Sequence, residues 1–154
     1  MNYSIIREAN VSDCDLLVDL MGQLGYPTTS EEMLDQIKFY KSNQFYKIWV
    51  IECEGVVTGS ISVVLLEYFH RKARFMRITS LIVGISYRRQ GLGKLLVKFA
   101  EKFAQKNGCV FIELTSGAHR AKLGSHDFYK LLGYEDVYET KKYLAKKLAV
   151  DDKL

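Results

Sequence analysis

The chain has 154 residues, 48% hydrophobic and 26% charged, the balance of one globular domain with a sizeable core. That apolar content excludes a disordered tail, and no apolar run approaches the ~20 residues a bilayer crossing takes. The formal charge of +4 is uneven: residues 1–70 carry 4 Lys/Arg against 10 Asp/Glu and residues 71–154 carry 18 against 8, a net −6 followed by a net +10. A basic half suits an anionic partner, either nucleic acid or a phosphate-bearing cofactor, or is simply a solvated surface. Cys14, Cys53 and Cys109 form no CxxC pair, and His70, His119 and His126 add no HExxH pattern, so neither a disulfide framework nor a metal site is expected. Arg7 and Glu8 follow Met1 too closely for a signal peptide, and the expectation is a cytoplasmic protein.

In chain order, Tyr3 to Glu8 reads as a short strand. Ser12 is the expected cap of a helix carrying Leu16, Leu17, Leu20 and Leu24, which Gly25-Tyr26-Pro27 ends. Ser30 is the expected cap of a second helix with Met33, Leu34, Ile37 and Tyr40 on one face. Three strands follow, Tyr46 to Cys53, Val56 to Leu66 and Arg74 to Val83, as an antiparallel meander. From Gly91 to Asn107 the period turns helical, with Leu92, Leu95, Leu96, Phe99 and Phe103 expected inward. Val110 to Thr115 reads as a strand, His126 to Leu132 as a short helix, and Val137 to Leu148 as closing strands. With one proline and no linker or repeat, residues 1–154 read as a single α/β domain.

The chemistry sits in Leu81-Ile82-Val83-Gly84-Ile85-Ser86-Tyr87-Arg88-Arg89-Gln90-Gly91-Leu92-Gly93-Lys94. A strand ends, a polar turn follows and an amphipathic helix begins. That order puts unpaired main-chain N–H groups at the positive end of a helix, a ready anion site. The dipole itself is worth only ~0.3–1 kcal/mol, and several N–H bonds to a charged acceptor, each ~1.5–3 kcal/mol, outweigh it. Gly91 and Gly93 let a phosphate approach, and Arg88, Arg89 and Lys94 add charge. A P-loop is excluded, because Arg88 stands at its first glycine and Leu95 at its Ser/Thr. A dinucleotide fingerprint is excluded by Leu96 at its third glycine.

Arg88-x-x-Gly91-x-Gly93, after an apolar strand and before a Leu/Phe helix, resembles the [Q/R]-x-x-G-x-[G/A] signature of the GNAT N-acetyltransferase superfamily. Phe128-Tyr129-Lys130-Leu131-Leu132-Gly133-Tyr134 is similar to its FYxxxGF segment. The resemblance covers Tyr3 to Leu148. Its finer likeness, through Glu113 to Gly117 and His126-x-Phe128-Tyr129, is to small-molecule amine acetyltransferases of the aminoalkylphosphonate and aminoglycoside types.

The resemblance implies a mixed, mostly antiparallel sheet splayed at the centre and flanked by helices on both faces. It implies acetyl-CoA as co-substrate, its pantetheine arm bonded by the main chain of Leu81, Ile82 and Val83. Its pyrophosphate would be wrapped by Arg88, Arg89, Gln90, Gly91, Leu92, Gly93 and Lys94. Tyr129 falls where many members protonate the departing thiolate. Tyr26, Thr79 and His126 are candidate acceptor-site residues. Ile85 and Lys122 depart from the usual proline and asparagine, and Thr79 stands where related enzymes often carry a carboxylate, which leaves the general base unassigned.

The expected reaction is direct attack of a small molecule's primary amine on the thioester. A lysine-like amine, pKa ~10.4, costs roughly 4–5 kcal/mol to deprotonate at pH 7, so the site must help remove the proton. Donation from a tyrosine at ~10 to a thiolate near ~8.5 is uphill by ~2 kcal/mol unless Arg120, Lys122 or Lys130 lowers the phenol's pKa. Glu113 is the nearest strand carboxylate in sequence, with solvent as its ordinary partner. The alternatives are a CoA-binding regulatory module without catalysis and a protein N-terminal or lysine acetyltransferase. No nucleic acid and no membrane are expected as partners, and a homodimer is left open.

Overall fold

The computed structural model describes residues 3–117, 120 and 124–149. These fall into two compact units, Met1–Thr115 and Ser116–Leu154.

The first unit is a five-stranded sheet in the order β1-β2-β3-β4-β5. Its strands are β1 (Ser4–Glu8), β2 (Tyr46–Cys53), β3 (Val56–Glu67), β4 (Arg74–Val83) and β5 (Cys109–Glu113). The first four pair antiparallel and β5 joins β4 in parallel. The mixed, mostly antiparallel α/β sheet read from the sequence is therefore the observed one. A crossover helix, α3 (Leu92–Lys106), connects β4 to β5, as a parallel pair requires.

Alternation along β2 divides the core in two. Val50 points to a layer made with α1 (Cys14–Leu24) and α2 (Ser30–Ser42), where Leu17, Leu20, Met33, Ile37, Val57 and Ile82 pack. Trp49 points the other way, meeting Phe99 and Phe103 of α3 edge-on at 5.2 and 4.9 Å between ring centres. Such pairs add about 0.5–1.5 kcal/mol each to the burial. The helix stripe is Leu92, Leu96, Val97, Ala100 and Ala104, all buried, while Leu95 is exposed. The inward place that helical spacing gives Leu95 goes instead to alanines, which carry a weaker apolar signal than leucine.

Helix starts also differ from expectation by a residue or two. Thr29, not Ser30, caps α2, because Glu32 lies three residues beyond Thr29. The Glu32 N–H donates to Thr29 Oγ1 at 3.1 Å, and Glu32 Oε2 accepts the Thr29 N–H at 3.3 Å, a capping box. Ahead of α1, Val11–Asp13 form a 3-10 turn whose Asp13 carboxylate accepts the Asn10 N–H at 2.7 Å. That carboxylate also takes both terminal nitrogens of Arg7 at 2.8 Å, and Arg7 reaches Glu52 at 2.5 Å.

The second unit contains α4 (Ser125–Leu131), entered through Gly124 at φ 80°. The closing strands expected over Val137 to Leu148 are not strands. That stretch is a turn closed by the Thr140 and Lys141 N–H groups on Val137 O at 3.0 and 2.8 Å, followed by exposed irregular chain. Glu139, Lys141, Lys142, Lys146 and Lys147 interrupt its alternation, so neither face is apolar enough to bury.

Candidate active site

The turn after β4 is held from two sides. The Gly84 N–H donates to Thr58 O at 2.8 Å, one ladder step past the strand, and Ile85–Tyr87 then make a single 3-10 turn. From α1, Gln23 accepts the Ile85 N–H at 2.9 Å, its own amide anchored on Asp19 at 2.8 Å. Sequence reasoning missed Gln23, which lies 62 positions from its partner with no local signal.

Arg89 and Gly91 both take left-handed backbone, φ 61° and 81°. Glycine adopts it freely, whereas a side chain there costs about 1–2 kcal/mol. Gly91 caps α3 without any side-chain cap bond. Among the described residues no protein acceptor bonds the main-chain N–H of Arg89, Gly91, Leu92, Gly93 or Lys94. Leu92 is buried against the sheet, and Arg88, Arg89, Gln90 and Lys94 are exposed. The result is a row of unsatisfied donors and cations at the positive end of a 15-residue helix, a donor set that fits a diphosphate.

The Gly84–Thr58 bond also sets the phase of the β3–β4 ladder. In an antiparallel pair every second residue turns both main-chain groups to its partner. Ile82, opposite Ser60, is in phase with Gly84 and faces β3; Leu81 and Val83 turn theirs to the far side. On that side β5 pairs only with Arg74, Met76 and Arg77, so among the described residues β4 has no strand partner there beyond Arg77. The open edge therefore belongs to Leu81 and Val83, while Ile82, 3% exposed, gives its side chain to the core. The Val83 carbonyl already accepts Arg88 Nε at 3.0 Å.

Between Ser62–Ser80 and Val63–Ile78 the register slips by one, and Thr79 is the extra residue of a β-bulge. The bulge sets two hydroxyls against one: Ser62 Oγ lies 2.7 Å from Thr79 Oγ1 and 2.5 Å from Ser80 Oγ. Thr79 is exposed and Ser62 buried. Every carboxylate borne by a strand is ion-paired. Glu8 pairs with Lys47, Glu52 with Arg7, Glu67 with Arg74, and Glu113 with Arg77 at 2.9 Å. Tyr26 stands exposed in the loop between α1 and α2.

In the second unit Tyr129 lies on α4, its ring against Phe128 and Tyr134, and its carbonyl accepts the Tyr134 N–H at 3.0 Å. Burial pushes the Tyr129 phenol above its ordinary value, and the Arg120 charge offsets this only in part. The help expected from neighbouring cations is therefore outweighed by desolvation. Lys122 lies outside the described residues. His126 is half-buried on α4, and its Nε2 has no hydrogen-bond partner among the described residues. Nor is there among them any His/Cys/Asp/Glu group able to hold a metal.

An open strand edge running into a bare helix start is the layout of a CoA-dependent acyltransferase fold. The model of the acetyltransferase (GNAT) family matches residues 15–134, and the chain belongs to that family. The chain is 25% identical over 136 residues to N-acetyltransferase family 8 member 3 of Rattus norvegicus, covering 84% of this chain and 59% of that protein. It spans about half the length of the Mus musculus and Homo sapiens relatives of the same group, 47% in each case. Thialysine N-epsilon-acetyltransferase of Bos taurus is also 25% identical, over 90% of this chain and 88% of that protein. Among solved structures, an aminoglycoside N-acetyltransferase in complex with CoA superposes at a TM-score of 0.82, with 16% identity and 97% of each chain covered.

Proposed function

We propose that this chain is an acetyl-CoA-dependent N-acetyltransferase acting on the primary amine of a small molecule, its two units working as one domain. The match to the family runs across both units. The observation that carries the reading is the set of unpartnered amides of Arg89 and Gly91 to Lys94, with Arg89 and Gly91 both in left-handed backbone. In this reading those amides, with Arg88, Arg89 and Lys94, hold the diphosphate of CoA. The main chain of Leu81 and the Val83 N–H bond the pantetheine arm as an added strand would.

The amine nitrogen attacks the thioester carbonyl, the C–S bond breaks with its electron pair on sulfur, Tyr129 protonates the thiolate, and the proton lost from the acetylated nitrogen restores the phenol. Its raised pKa keeps the phenol protonated at neutral pH, and makes the donation more uphill than the ~2 kcal/mol of an unperturbed tyrosine. That same observation favours a second reading, a CoA-binding module without turnover. Calorimetric titration with CoA, followed by a thiol-release assay against a panel of amines, tests both. Saturable binding with amine-dependent thiol release is expected, and binding without release from any amine leaves the second reading.

A further inference from the structure

The middle of β3 and β4 offers an approaching amine no free carboxylate. All four strand-borne carboxylates are held by Arg or Lys, at 2.5–2.9 Å for the three pairs of Glu8, Glu52 and Glu113 and in a short contact with Arg74 for Glu67. What the bulge presents instead is an uncharged chain, Thr79 Oγ1 to Ser62 Oγ to Ser80 Oγ, at 2.7 and 2.5 Å, beginning at an exposed residue and ending at half-buried Ser80. The three hydroxyls can donate to and accept from an amine nitrogen. Being neutral, they do not draw an ammonium ion in or take its proton.

Resting on the transferase reading above, we infer that the acceptor is a weakly basic primary amine, such as an α-amino group, which enters already neutral and is oriented by the Thr79–Ser62–Ser80 hydroxyls. The balance needs no base. The amine leaves its proton with solvent before binding, the N–C bond forms as the C–S bond breaks, Tyr129 protonates the thiolate, and the surplus N–H proton restores the phenol. An α-amino group with pKa ~8 is neutral at pH 7 roughly 200-fold more often than an alkylamine with pKa ~10.4. Thr79 and Ser62 act as positioning residues for that amine.

The test is a panel of primary amines ordered by basicity, α-amino amides and β-fluorinated alkylamines at one end and plain alkylamines at the other, assayed at pH 7 and pH 9. The expected result is kcat/KM at pH 7 at least ~30-fold higher at the weakly basic end. That preference shrinks roughly tenfold by pH 9, because the alkylamines gain neutral form faster. Thr79→Glu, at an exposed position, is expected to raise kcat/KM for alkylamines selectively. Thr79→Val is expected to lower kcat/KM for α-amino amides without altering CoA affinity. Alkylamines turning over as well as α-amino amides at pH 7, or a preference indifferent to pH, overturns this inference alone. Failure of the whole panel in a protein that binds CoA overturns the transferase reading instead.

Discussion

Arg88 Nε donates to the carbonyl oxygen of Val83 at 3.0 Å, tying the first cation of the turn to the last residue of β4. One guanidinium thus closes the turn with one nitrogen, and in the proposed reading its others meet the CoA diphosphate. Lysine retains the charge but not the fork. Arg88→Ala is expected to weaken CoA binding roughly tenfold, and Arg88→Lys to recover only part of it, because a charge-assisted bond to the turn is gone in both. Calorimetric titration of the two variants measures the difference, and equal affinities would remove Arg88 from the turn's support.

Gly91→Ala and Gly59→Ala separate backbone strain from crowding. A Cβ on Gly91 meets nothing within 4 Å, so its cost is the left-handed φ of 81°, about 1–2 kcal/mol. A fall in Tm of roughly 3–6 °C follows. At Gly59 a Cβ would stand 2.8 Å from Ile82 O and 3.3 Å from Ile51 Cγ2. Since that oxygen belongs to the β3–β4 ladder, the strands must part, and Gly59→Ala should lose more than Gly91→Ala. Thermal unfolding of both orders the two effects.

Arg7, Asp13 and Glu52 tie β1 and β2 to the turn before α1. The Arg7 guanidinium holds the Asp13 carboxyl below the usual carboxylate range. A depressed folded-state pKa gives stability that is full above the unfolded value of about 3.9 and is lost as pH falls through the folded one. Asp13→Asn should therefore cost about 3 kcal/mol at pH 7, and the gap from the native protein should close below about pH 4. Denaturant unfolding at pH 7, 5 and 3 reads this directly.

Burial raises the Tyr129 phenol, so the group stays protonated throughout pH 6–9. A general acid in that state imposes no fall in kcat over the range. Tyr129→Phe is expected to lower kcat by about a hundredfold with acetyl-CoA affinity unchanged. An unaltered kcat would remove the acid role.

The sequence made most of this legible because its strongest signals are local. β2 and β4 begin and end where their β-branched and aromatic runs do, at Tyr46–Cys53 and Arg74–Val83. The turn from Gly84 to Lys94 follows from its glycines, its arginines and the helix after it. Contacts made across the sheet could not be read this way. Gln23 reaches Ile85 from another helix, and the bulge that joins Thr79 and Ser80 to Ser62 is a register event between two strands. Which of Leu81, Ile82 and Val83 turns its main chain away from β3 depends on ladder phase, set by Gly84 on Thr58. The closing segment misled because Val137, Tyr138, Tyr143 and Leu144 have strand propensity, while the charges between them leave no face to bury.

In the proposed reading the main-chain amides of Arg89 and Gly91 to Lys94 bind a diphosphate. A 1H–15N correlation titration with CoA reads that contact amide by amide. These amide resonances are expected to move together and saturate with the affinity measured by calorimetry, and pantetheine, which lacks the diphosphate, is expected to leave them in place. Saturable CoA binding with these amides unmoved would contradict it.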